Sequence, residues 1–150
     1  MKKRFFHLKE RAQSLTELAI SFTFLMLLLA GSVDLARAFF FYLTLADASQ
    51  EGAVYAAMNP TDTAGIEARV RGAADTPLDL ATDPDVTVMA PVYSDAAHQC
   101  AGVDATSGDA YTVTIEVRYQ YHFTMPLISG MFPTLTLSAS TTNTILRPAC

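Results

Sequence analysis

At 150 residues the chain has room for one modest domain beyond a membrane segment, and not for two. It is 51% hydrophobic and carries 10 basic against 15 acidic residues, a net charge of −5; without residues 1–12, which hold five basic and one acidic side chain, the charge is −9 and no lysine is left. Such a surface excludes nucleic acid and charge-driven docking on anionic lipid as its business, and leaves proteins as the expected partners.

The chain opens on a basic leader, residues 1–12, with Lys2, Lys3, Arg4, Lys9 and Arg11 against Glu10 alone. From Leu18 to Val33 no charged residue and no proline interrupts an apolar run, and Leu15 extends it backwards across Thr16 and Glu17. At 1.5 Å per residue the stretch from Leu15 reaches about 28 Å, close to the hydrocarbon thickness of a bilayer. Basic residues directly before a first apolar helix hold the N-terminus in the cytoplasm, so the expected topology is N-in, C-out. A secretory signal peptide starts in the same way, and Ala30-Gly31-Ser32 passes as a weak cleavage site. The helical pattern nevertheless continues through Asp34, Arg37 and Ala38-Phe39-Phe40-Phe41-Tyr42-Leu43 without a breaker before Pro60, so the segment is expected to be retained. Glu17, alone at the mouth of this helix, is either held at headgroup level by its long side chain or used in helix assembly.

Asp34 and Arg37 lie three apart, share one helix face and are expected to pair at the outer membrane edge; a bridge to a neighbouring subunit is the alternative. Ala46, Ala48, Gly52, Ala53, Ala56 and Ala57 form a small-residue face that admits a close neighbour, with the chain's own sheet as the expected one near Gly52. Phe39 to Tyr42, nearer the membrane, suit lipid or another helix. Asn59-Pro60 predicts the helix end near Met58. A second helix, capped by Thr61 or Asp62, carries Ile66, Val70 and Ala73 on one side and is limited by Gly72 and Pro77. Residues 75–85 hold four aspartates and two prolines and read as a solvated acidic loop, since the ligand spacing of an EF-hand is missing.

Three strands are expected. Residues 86–92 form a short one. Residues 94–109, with Gly102 and Gly108, form a loop. Residues 111–123 give the clearest strand, with Tyr111, Val113, Ile115, Val117, Tyr119, Tyr121 and Phe123 on one face and polar residues on the other. Residues 125–133 form an apolar loop broken by Pro126, Gly130 and Pro133, which touches membrane, a neighbouring subunit or its own sheet. Residues 134–145 alternate again and complete an antiparallel sheet packed on the outer half of the long helix. Cys100 and Cys150 make an even count, for which an intrachain disulfide is expected outside the cytoplasm, with pairing between subunits as the alternative. His7, His98 and His122 have no cysteine or carboxylate spacing of a zinc site, and no phosphate cradle, nucleophile elbow or paired-carboxylate motif is present. No enzyme activity and no cofactor are expected.

Three spaced motifs carry a resemblance: Arg11-Ala12-Gln13-Ser14-Leu15-Thr16-Glu17-Leu18-Ala19, then Val33-Asp34-Leu35-Ala36-Arg37-Ala38-Phe39, then Ala48-Ser49-Gln50-Glu51-Gly52-Ala53-Val54-Tyr55-Ala56-Ala57. Over about its first third the chain resembles the TadE-like pseudopilins of tight-adherence pilus systems, a branch of the type IV pilin-like proteins. The family usually has glycine where Ala12 stands, phenylalanine where Leu18 stands and glycine where Ala36 stands. The resemblance implies cleavage between Ala12 and Gln13 by a prepilin peptidase. The new α-amino group would then lie about 6 Å along the helix from Glu17, whose carboxylate meets its own or a neighbour's amine as a register pin. It also implies residence in a bacterial inner membrane, incorporation into a pilus with other pilin or pseudopilin subunits, and service by a platform and an assembly ATPase. The expected organisation is a pilin-like α+β protein: leader 1–12, transmembrane and extended helix 13–58, exported domain 59–150. A minor pseudopilin is the expected function; the alternative is an uncleaved membrane-anchored scaffold or binding domain.

Overall fold

The computed structural model describes residues 3–98, 110–125, 129–130 and 133–146, with side chains from Gln13 onward other than that of His98. Helix α1 runs over Lys3–Met58, a stretch with no proline. Its end is where Asn59-Pro60 put it, with Asn59 N–H still bonded to Tyr55 O at 2.9 Å. The chain divides into two compact units, Met1–Ala36 and Arg37–Cys150. The first is the N-terminal part of α1. The second holds the rest of α1, helix α2 (Thr63–Arg71) and strands β1 (Val86–Val88), β2 (Val92–Tyr93), β3 (Thr112–His122) and β4 (Thr134–Thr144), with one turn of 3-10 helix at Ala96–His98.

Among the described residues the sheet has four strands rather than the three expected. Residues 86–92 do not make one strand, because β1 and β2 pair with β3 in registers that differ by one residue. Four steps from Val88 to Val92 oppose three from Val117 to Thr114. The extra residue falls at Met89-Ala90-Pro91, where proline has no N–H for a ladder, so the chain bulges and re-enters. All pairings are antiparallel: β3 is central, β1 and β2 share one of its edges, and β4 pairs along the other from Thr112↔Thr144 to His122↔Thr134 without a break.

The core lies between the odd-numbered face of β3 and the outer part of α1. Val113, Ile115, Val117, Tyr119 and Tyr121 are buried, as the period-two alternation requires. Opposite them α1 buries Ala38, Leu45, Ala48, Gly52 and Ala56, positions three, four or seven apart and so on one helix face. The small-residue face thus covers the chain's own sheet. At Gly52 the approach is close: a Cβ there would stand 2.5 Å from Val70 Cγ2 and 3.2 Å from Ile115 Cγ2. The aromatic run divides by face. Phe41 packs edge-on against Tyr119 and Tyr121 at 5.5 and 5.7 Å, whereas Phe39 and Phe40 remain 58% and 57% exposed. Contacts from Phe41 beside Tyr119, through Ser49 Oγ to Thr141 Oγ1 at 2.7 Å, to Ala57 O accepting Leu146 N–H at 2.9 Å show this part of α1 running in the direction of β4.

Helix α2 starts at Asp62, whose carboxylate accepts Gly65 N–H at 2.9 Å and Tyr55 O–H at 2.7 Å. It buries Ile66 and Val70 and carries a Glu67–Arg71 pair at 2.8 Å on its wet side. The aspartates that follow serve the backbone: Asp79 accepts Ala81 and Thr82 N–H, and Asp83 accepts Asp85 N–H. Cys100, Cys150, Gly102, Gly108, and the apolar Leu127, Ile128, Met131 and Phe132 lie outside the described residues.

Candidate assembly segment

A helix that meets lipid must satisfy its polar groups from within. Between Gln13 and Val33 three hydroxyls do so: Thr16 donates to Gln13 O at 2.8 Å, Thr23 to Ala19 O at 2.8 Å and Ser32 to Leu29 O at 2.7 Å. Around them the apolar side chains, Leu18, Ile20, Phe22, Phe24 and Leu25 among them, are exposed. In water such a surface would be a liability; in a bilayer or between packed helices it is what the environment asks for. Among the described residues one helix, Gln13–Met58, is long and apolar enough to cross a membrane, with a mean hydropathy of 2.0 over its most apolar window.

Glu17 is exposed in this segment, and it is the one ionisable residue between Gln13 and Val33. Gln13 stands four residues earlier on the same continuous helix, so the backbone at residue 13 lies about one helical turn, roughly 6 Å of rise, from that of Glu17. A carboxylate at that spacing can meet a cation at position 13, or an amine offered by a neighbouring helix. The Ala12–Gln13 peptide lies inside α1, while the Ala12 side chain is outside the described ones.

At the far end of the apolar stretch Asp34 is buried to 3% exposure, uncommon for a carboxylate. Arg37, in the second unit, donates from Nη1 to Thr124 Oγ1 and holds its guanidinium 5.9 Å from the centre of the Phe41 ring. Arg37 is therefore tied to Thr124, two residues past β3, as well as to its own helix, a link over 87 residues that no local pattern announces.

In the second unit a further cluster joins the end of α1 to the start of α2. Asp62 bridges Gly65 N–H and Tyr55 O–H, and Arg69 stacks 5.5 Å from the centre of the Tyr55 ring. The Gly65 N–H, and after it the Tyr55 hydroxyl, hold the Asp62 carboxyl below its ordinary value. Of the two caps the sequence offers, Thr61 and Asp62, it is Asp62 that takes the place, and its Tyr55 partner needs the turn at Asn59-Pro60 to fold back. On the sheet's polar face Arg118 pairs with Glu116 at 2.7 Å, and Asp85 lies 3.2 Å from His122 Nε2. Among the described residues no three of His, Cys, Asp and Glu gather as a metal ion would require. The site residues thus fall in two places, Gln13 and Glu17 near the start of the apolar segment, Asp34 and Arg37 after it.

Residues 12–54, less than a third of the chain, match the family model described as TadE-like protein. That span takes in Ala12, Gln13, Glu17, Asp34 and Arg37. Neither the curated proteins nor the solved structures yield a match.

Proposed function

We propose, on the premise that residues 12–54 are TadE-like, that this chain is a minor pseudopilin-like subunit of a tight-adherence pilus system. It enters the inner membrane N-in, C-out, with residues 1–12 in the cytoplasm and the sheet domain outside. A prepilin peptidase cuts between Ala12 and Gln13. The α-amino group so released lies one helical turn from Glu17, and in a low-dielectric bundle each charge is better paired than alone. Pairing of Glu17 with its own or a neighbour's amine sets the axial register of the subunit as it leaves the membrane for the growing pilus. The exposed apolar side chains of residues 18–33 then exchange lipid for neighbouring helices. Asp34, with a cation at the i+3 spacing of one helix face, marks the outer end of that segment. The platform proteins, the assembly ATPase and sister pilin subunits are its partners in this reading.

The observation that carries the proposal is a lone exposed carboxylate on an otherwise apolar, lipid-compatible helix, at the fixed distance from residue 13 that cleavage would turn into an amine. Intact mass and N-terminal peptide mapping of protein from its native membrane test the first step, with a chain beginning at Gln13 expected. A chain beginning at Met1 favours an uncleaved anchored scaffold instead. Glu17→Ala should leave the protein in the membrane and remove it from sheared pilus fractions; undiminished incorporation would sink the assembly role.

A further inference from the structure

Sheet edges are where a β-protein is most open to other chains, and the two edges of this sheet are treated differently. The β1–β2 edge is blunted by short strands, by the bulge at residues 89–91 and by Pro91. β4 has none of these devices. It pairs with β3 along its whole length without a bulge, and its sequence, Thr-Leu-Thr-Leu-Ser-Ala-Ser-Thr-Thr-Asn-Thr, contains no charge and no proline.

The direction of its backbone groups follows from the ladder. Ile145 N–H bonds to Tyr111 O, so in an antiparallel pair the odd residues of β4 turn N–H and C=O towards β3. The even residues of β3 face the other way, as Met89 N–H to Glu116 O and Ser94 N–H to Thr112 O confirm. The even residues of β4, Thr134, Thr136, Ser138, Ser140, Thr142 and Thr144, therefore present their backbone groups outward. Two places on this edge are already closed: Thr144 N–H is taken by Asn143 Oδ1, and Leu146 N–H by Ala57 O. From Thr134 to Thr142 no strand among the described residues covers it. On the α1 side of the same strand Leu135 is left 43% exposed.

We infer that β4 is an acceptor edge, completed by an extended segment of a different protein that adds as a further strand. A second copy of this chain does not fit. Antiparallel pairing of β4 with its twin runs about a dyad normal to the sheet, and because α1 from Phe41 to Ala57 follows the direction of β4, the twin's α1 would point the opposite way. The two Arg37 ends, from which each chain continues into its apolar segment, would then lie at opposite ends of the joined sheet, and both cannot face one membrane. Side-by-side pairing in one orientation would set β4 on a twin's β1–β2 edge, which the bulge and Pro91 close. The exclusion of the twin rests on the single-membrane reading above; the open edge does not. The fitting partner is an uncharged segment with alternating side chains, apolar on the side that covers Leu135 and polar beside the Ser/Thr row, its main chain supplying the bonds.

Amide hydrogen exchange tests this on the full chain, purified in non-ionic detergent and in native membranes of cells making the whole pilus system. In detergent the N–H groups of Thr136, Ser138, Ser140 and Thr142 should exchange freely while those of Leu137, Ala139 and Thr141 are protected. In native membranes the first set should slow at least tenfold. Ser138→Pro removes one outward N–H and leaves the β3 ladder intact, so protection of the outward set should be lost and that of the inward set kept. Should that variant unfold, Ser138→Lys, with its side chain on the polar face, is expected to give the same loss. Outward protection already present in detergent at every concentration would show a segment of this chain on the edge; protection rising with concentration would show a twin; no gain in native membranes would show no occupant. Each overturns the inference, as does protection that survives both substitutions. Incorporation of Glu17→Ala into pili would refute the assembly reading without touching these exchange rates.

Discussion

Gly52→Ala puts two familiar effects in opposition. In an exposed helix interior the change stabilises by about 1 kcal/mol, because alanine loses less backbone entropy than glycine. At residue 52 the new methyl would stand 2.5 Å from Val70 Cγ2 and 3.2 Å from Ile115 Cγ2, against about 3.5–4.0 Å for carbons at rest. Val70 would have to retreat by about 1 Å, yet it is fully buried and its β-branched side chain is held to one rotamer in α2. Overpacking of this kind costs about 1–3 kcal/mol, so the two effects sum to a net loss of about 1 kcal/mol. For a domain of this size that lowers Tm by roughly 4 °C. Near-UV circular dichroism of the tyrosines during thermal unfolding of the full chain in detergent reads it. Val70→Ala alone should cost about 2 kcal/mol, from two lost methyl groups and the space they leave. Added to that background, Gly52→Ala should stabilise, since the obstructing methyl is gone, giving a coupling of at least 0.5 kcal/mol in the double-mutant cycle. A Gly52→Ala variant that melts higher than the parent would refute the close approach of α1, α2 and β3.

Other expectations are simpler. Asp62 has a lowered pKa in the folded chain, so its contribution is complete above the unfolded value, about 3.9, and fades as pH falls through the folded one. Melting temperature should therefore drop below about pH 4, and Asp62→Asn, which keeps a capping oxygen, should flatten that fall in part; Asp79, also lowered by its Thr82 hydroxyl and backbone bonds, and Glu116, lowered by its Arg118 bond, retain their share. Leu45→Ala removes a fully buried side chain where α1 meets the sheet and should cost about 2–5 kcal/mol in urea unfolding at unchanged m-value. A cost below 1 kcal/mol would mean that the outer part of α1 does not hold the sheet.

The sequence by itself determined those features whose cause is local. A proline-free stretch between the basic leader and Asn59-Pro60 makes one long helix, and the apolar run of residues 18–33 within it has the length to cross a bilayer. The alternation of residues 111–123 decided which face of β3 is buried, because side chains on a strand have nowhere else to go. The small-residue face around Gly52 pointed to a close neighbour. Tertiary structure decided which neighbour, setting Val70 of α2 and Ile115 of β3 against the same glycine. It split residues 86–92 into two strands, since the choice between a bent strand and a bulge depends on the register offered by β3. It also tied Arg37 to Thr124 and Tyr55 to Asp62, contacts between residues that share no helix turn or strand ladder. The outer edge of β4, covered by no other strand among the described residues, is the clearest case: its lack of charge was written in the chain, but which backbone groups face outward depends on pairing parity, and a parity exists only once two strands are in register.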